Sequence, residues 1–172
     1  AGRHIIHMEV GQPGTGAPQA AIRALNAAMA SGPLGYTVAL GLPELRARIA
    51  QLYGEWYNVD LNPERVVVTS GSSAAFLLAF TALFEAGDRV AIGAPGYPSY
   101  RQILKALSLE PVLIEAQPEN RLQPIATDLK GLNAQGLMVA SPANPTGTML
   151  DHASMSSLIG AAQEAGAAFI SD

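Results

Sequence analysis

From residue 65 onward, short β-branched and apolar runs alternate with stretches of helical periodicity, each junction marked by Gly, Pro, Asn or Asp. The alternation predicts an α/β fold with a mainly parallel sheet. The expected strands are 65–69, 89–93, 111–114, 137–140 and 168–171, nearly all apolar, as strands covered on both faces require. Ahead of them, Leu42, Leu45, Ile49, Leu52, Tyr53 and Trp56 recur at three- and four-residue spacing, while Glu44, Arg46, Arg48 and Glu55 fall elsewhere. That spacing predicts an amphipathic helix. A further helix is expected over 19–30 and another over 74–84. The segment 9–18, with Gly11, Pro13, Gly14, Gly16 and Pro18, reads as an extended arm.

Composition narrows the possible roles. A chain of 172 residues that is 49% apolar can bury a sizeable core. Ten Lys and Arg against fourteen Asp and Glu give a net charge of −4, with no basic run that could follow a phosphate backbone, so no nucleic-acid partner is expected. The longest apolar stretch, 74–84, falls short of the roughly 20 residues of a membrane span, and no membrane association is expected. The absence of cysteine excludes disulfides, thiolate nucleophiles and cysteine-based metal sites, and agrees with a reducing, cytoplasmic location. No charged and then apolar leader opens the chain, and a start without Met suggests that leading residues were removed. His4, His7 and His152 lack metal-ligand spacing, so no metal is expected.

Three loops and one carboxylate carry the candidate chemistry. The first run leads into Thr69-Ser70-Gly71-Ser72-Ser73 and then a helix. Such a turn aims backbone N–H groups and a helix dipole at one spot that suits a phosphate, though serine caps on an ordinary strand-to-helix turn would read the same way. It matches neither GxGxxG nor a Walker A loop, which removes the main support for dinucleotide or ATP binding. The second loop, Gly93-Ala94-Pro95-Gly96-Tyr97-Pro98, places Tyr97 where a ring could cover a flat ligand or simply pack after a proline turn. The third, Ser141-Pro142-Ala143-Asn144-Pro145-Thr146-Gly147, is explained as a tight turn by its own residues, with Asp151 as cap of the next helix. The last run then ends in Asp172, 28 positions after Asn144, so four strand ends offer a phosphate cradle, a flat ring, an amide and an anion at one sheet edge.

In that order and spacing the chain resembles the fold type I aminotransferases that use pyridoxal 5′-phosphate (PLP), the aspartate aminotransferase superfamily. The likeness runs from Gly11-Gln12-Pro13 through Gly35-Tyr36-Thr37, Gly41 and Leu45-Arg46 to Gly71-Ser72-Ser73, Tyr97, Asn144-Pro145-Thr146-Gly147 and Asp172. The resemblance implies an N-terminal arm or small-domain segment over 1–18 and the first part of the large PLP-binding domain over 19–172. It implies that Gly71, Ser72 and Ser73 hold the PLP phosphate, that Tyr97 covers the ring, that Asn144 donates to the phenolic oxygen, and that Asp172 pairs with the ring nitrogen. Only a protonated ring nitrogen drains electrons efficiently from a substrate carbanion. Gly11, with Asn144, would serve the substrate, and Tyr36 would reach a phosphate bound mainly by the other subunit of a homodimer. Cis peptides are implied at Ala94-Pro95 and Asn144-Pro145.

The implied reaction transfers an amino group between an amino acid and a 2-oxo acid. Ala74 stands where many relatives carry glutamine, and Tyr97 where some subgroups carry tryptophan, which argues against aspartate as substrate. The reaction also needs a Schiff-base lysine. Lys105 and Lys130, the only lysines, both read as solvated helix residues, so the native protein is expected to continue past Asp172 and these residues alone are expected to be inactive. In the family, two later strands insert between the first strand and the fourth, so an incomplete sheet is expected. Other readings are a carbon–sulfur lyase or decarboxylase on the same scaffold, an aminotransferase-like regulatory domain, or a non-catalytic α/β domain. A basic winged-helix stretch ahead of the domain would mark the regulatory case and is not seen, while retention of Asn144 and Asp172 counts against the non-catalytic one.

Overall fold

A computed structural model describes His4, Ile6 and residues 11–172, so His7 and the first two residues of the expected arm lie outside the described residues. The chain divides into two compact units, Ala1–Val66 and Val67–Asp172.

In the first unit, residues 11–18 are non-helical and exposed. Helix α1 spans Gln19–Ser31 and α2 spans Pro43–Tyr57. Proline at the first helical position, where no intrahelical N–H is needed, and Asn58 in the left-handed conformation at the far end fix the limits of α2. Its apolar stripe forms as the periodicity predicts. Only Ala50 is buried, however, and Leu45, Tyr53 and Trp56 stay exposed. Arg46 Nε donates to the Val66 carbonyl at 2.8 Å and ties α2 to the end of the unit.

The second unit holds α3 (Ser72–Leu83), β1 (Arg89–Ala94), α4 (Pro98–Ala106), β2 (Glu110–Glu115), β3 (Gly136–Val139), α5 (His152–Glu164) and β4 (Ala168–Ser171). The four strands form one parallel sheet in the order β2-β1-β3-β4. Alternation along each strand sends side chains to opposite faces. Val90, Ile92 and Met138 pack with Phe76, Phe80, Tyr100 and Leu104 of α3 and α4. Ala91, Leu137 and Val139 pack with Leu158 and Ala162 of α5 on the other face. Burying each such large side chain contributes roughly 1.5–3 kcal/mol relative to exposure.

Three expectations are corrected. The run 65–69 is not a strand: Pro63–Arg65 forms a 3₁₀ turn and the residues after it are extended but join no ladder among the described residues. A β-branched run becomes a strand only where a neighbour supplies partners for its N–H and C=O groups. The gap expected in the middle of the sheet is not found among the described strands: β3 is paired on both sides and the edges are β2 and β4. The helix expected over 74–84 begins two residues earlier, at Ser72.

Candidate active site

Because the strands are parallel, the loops after β1 and β3 and the residue after β4 lie at one edge of the sheet, where open α/β sheets place ligands. After β1 the chain turns through cis Ala94-Pro95. A Cβ on Gly96 would lie 2.5 Å from the Gly93 carbonyl oxygen, so the turn admits only glycine there. Tyr97 follows, half-buried, with its ring 5.4 Å from that of Tyr100 and nearly perpendicular to it.

After β3 comes the loop with Asn144. Cis bonds occur at Asn144-Pro145, as the resemblance implies, and also at Ser141-Pro142. Ala143 N–H donates to the Thr148 carbonyl at 2.9 Å and Gly147 N–H to the Ala143 carbonyl at 2.7 Å, closing the turn and leaving Asn144 exposed. Gln123, buried at 3% exposure, holds this loop from beneath: its Nε2 donates to the carbonyls of Thr148 at 2.9 Å and Ala140 at 3.2 Å.

After β4 comes Asp172, which continues the ladder. Its N–H donates to the Val139 carbonyl at 2.9 Å and its carbonyl accepts from Ser141 N–H at 3.1 Å. Its side-chain Oδ2 accepts a hydrogen bond from the Tyr100 hydroxyl. Tyr100 is 4% exposed and meets Phe76 edge-on, with ring centroids 5.2 Å apart. Burial pushes its phenol well above the usual tyrosine range, and the nearby Asp172 and Tyr97 push the same way. The hydroxyl therefore keeps its proton and remains a donor to Asp172 at physiological pH.

The cradle lies at the start of α3. Its cap is Gly71 at φ +84°, a left-handed value that favours glycine, and no side chain caps the helix. Thr69 Oγ1 donates to the Gly71 carbonyl and Gly71 N–H to the Thr69 carbonyl, both at 2.9 Å. The serine-cap reading is therefore not what forms. Gly71, Ser72 and Ser73 are exposed, and first-turn N–H groups have no intrahelical acceptors. That leaves donors for an anion. Phe76, one turn further along α3, packs on Tyr100 and so links the cradle helix to Asp172.

Gly11 and Tyr36 belong to the first unit; both are exposed, Tyr36 fully so. Lys105 and Lys130 are exposed, Lys105 in the last turn of α4 and Lys130 just past a 3₁₀ turn. Neither stands in the loops described above. His4 and His152 are exposed, and no cluster of three metal-ligating residues occurs among the described residues. Asp151 caps α5 by accepting from Ser154 N–H at 2.7 Å, a bond that lowers its pKa. Two residues of this edge escaped the sequence reading, Tyr100 and Gln123. For Tyr100 a signal existed, a second tyrosine one helical turn after Tyr97; Gln123 lies in a loop that carries none.

The family profile described as aminotransferase class I and II matches residues 3–172. The chain belongs to the class I and II aminotransferases. Members of that family depend on PLP. The chain is 49% identical over 148 residues to a valine–pyruvate aminotransferase of Mycobacterium tuberculosis strain H37Rv, covering 85% of this chain and 38% of that protein. A crystal structure from Silicibacter pomeroyi is 67% identical, with a TM-score of 0.89, and covers 99% of this chain and 44% of its own. The crystal structure of an aminotransferase from Mycobacterium tuberculosis is 46% identical, with a TM-score of 0.92, and covers 95% of this chain and 43% of its own. The chain thus spans less than half the length of each of these relatives.

Proposed function

We propose that the protein containing this chain is a PLP-dependent aminotransferase that moves an amino group between an amino acid and a 2-oxo acid. The observation that carries the reading is the meeting of Tyr97 and Asp172 on the buried side chain of Tyr100, with the cradle helix packed on the same ring. The residues present fit the cofactor: uncapped first-turn N–H groups at Ser72 and Ser73, on the turn made by Gly71, suit its phosphate, Tyr97 its ring face, Asn144 its phenolic oxygen and Asp172 its ring nitrogen. PLP, when bound, supplies an electron sink for the substrate's α-carbon. The chain's part is to fix the cofactor's tilt, keep an anion at the ring nitrogen and leave room beside Gly11 for a substrate carboxylate.

Residues 1–18 act as the arm or small-domain segment and 19–172 as the first part of the large domain. The lysine that the transfer requires would come from a part of the protein beyond these residues, since Lys105 and Lys130 stand outside the loops of this sheet edge. The protein is a homodimer in which Tyr36 reaches the phosphate held mainly by the partner subunit; its full exposure leaves it available for that contact. A cytoplasmic site of action agrees with the absence of cysteine and of any described helix long and apolar enough to cross a membrane. The likeness to a valine–pyruvate aminotransferase, together with Tyr97, favours aliphatic amino acids and pyruvate over aspartate.

Steady-state assays of the full-length protein, with a panel of amino acids against pyruvate and 2-oxoglutarate, test this. Parallel double-reciprocal lines, the mark of a two-stage transfer, are expected, with valine ahead of aspartate. Product formation that needs no 2-oxo acid would instead indicate lyase or decarboxylase chemistry and overturn the proposal.

A further inference from the structure

Tyr100 is the third residue of α4, and its ring touches elements that carry three separate parts of the proposed site. Phe76 meets it from α3, one turn past Ser72, at 5.2 Å and 90°. Tyr97 meets it at 5.4 Å and 80°. Its hydroxyl donates to Asp172 Oδ2 from 72 positions earlier in the sequence. An aspartate at an exposed strand end is otherwise free to change rotamer. Binding one oxygen to a buried phenol fixes the plane of the carboxylate and leaves the other oxygen, Oδ1, with no hydrogen bond from the described residues.

We propose, resting on the PLP reading above, that Tyr100 is a positioning residue: it commits Oδ2 of Asp172 so that Oδ1 faces the ring nitrogen of PLP, and it sets the tilt of Tyr97 over the ring. The raised pKa of the buried phenol keeps this donor protonated throughout the working range. The titratable groups that face Tyr100 are Asp172 from the end of β4 and Tyr97 from the turn before α4, while α3 contributes the apolar Phe76.

The test uses full-length holoenzyme carrying Tyr100→Phe, which keeps the ring packing and removes only the hydroxyl. Expected are an approximately tenfold higher PLP dissociation constant, read by fluorescence, and an approximately tenfold lower kcat with KM little changed, the size of one charge-assisted hydrogen bond. The pH midpoint of the bound cofactor's absorption change should move by about half a unit or more, while the melting temperature of the apo-protein changes little. Site-specific 3-fluorotyrosine at position 100, which keeps the shape and strengthens the donor, should move that midpoint the opposite way. Unchanged PLP affinity and midpoint in both variants overturn the inference while leaving the aminotransferase reading intact. A fall in apo-protein stability with those two readouts unmoved marks Tyr100 as merely structural and overturns it equally. Wild-type protein that binds no PLP contradicts the functional reading itself, and this inference falls with it.

Discussion

Replacing Asp172 by asparagine in the full-length protein is expected to reduce turnover by about 10³-fold or more, the scale seen when one preorganised charge-stabilising group is removed from an active site. The amide has the carboxylate's shape and can still accept from the Tyr100 hydroxyl, so the packing around Phe76 and Tyr97 is kept. On the proposed reading, what would be lost is the anion at the ring nitrogen, which would keep that nitrogen protonated as the electron sink requires. Affinity for PLP should fall much less, by about tenfold, because the first-turn N–H groups of α3 would still be available to its phosphate. A comparison of kcat with the PLP dissociation constant separates the two effects. Turnover within tenfold of wild type would remove Asp172 from the role assigned to it.

Phe80→Ala should produce the largest loss of stability. Phe80 is fully buried, with its ring 6.1 Å from Phe76 and 6.2 Å from Phe84, at the centre of the cluster that joins α3 and α4 to the sheet. Truncation removes the transfer free energy of the ring and leaves a cavity that three packed elements cannot close, so a cost of about 3–5 kcal/mol is expected. Urea unfolding should show it as a lower midpoint with an unchanged slope. The effect also reaches the site, because the cradle at Gly71 to Ser73 sits on the first turn of α3. PLP affinity should therefore weaken before the protein unfolds globally. A loss below 1 kcal/mol would mean that α3 is not seated on the sheet through this ring.

What the sequence made legible follows the reach of the signals. Apolar runs with local punctuation located β1 to β4 within a residue or two. Asp151 marked a helix start because capping is settled by adjacent residues. The run at 65–69 has the same composition as a true strand, yet strand formation is decided by a neighbour that composition does not encode, and it joins no ladder among the described residues. Two of the cis peptides were implied by resemblance, while Ser141-Pro142 was not. Of the candidate site, Tyr97, Asn144 and Asp172 were legible because each follows a recognisable strand end. Tyr100 was not, since its meaning lies in burial and in a partner 72 positions away. Gln123 was hidden for the same reason: an amide in a loop gains its role only when the Thr148 carbonyl folds over it.

The most direct test of the central claim is the absorption spectrum of the PLP-loaded full-length protein during a single half-reaction. Addition of an aliphatic amino acid without acceptor should replace the near-visible band of bound PLP by the shorter-wavelength band of its amine form, and pyruvate added afterwards should restore the original band. A spectrum that does not change with any amino acid, or a change that no 2-oxo acid reverses, would contradict the assignment of this sheet edge to amino-group transfer.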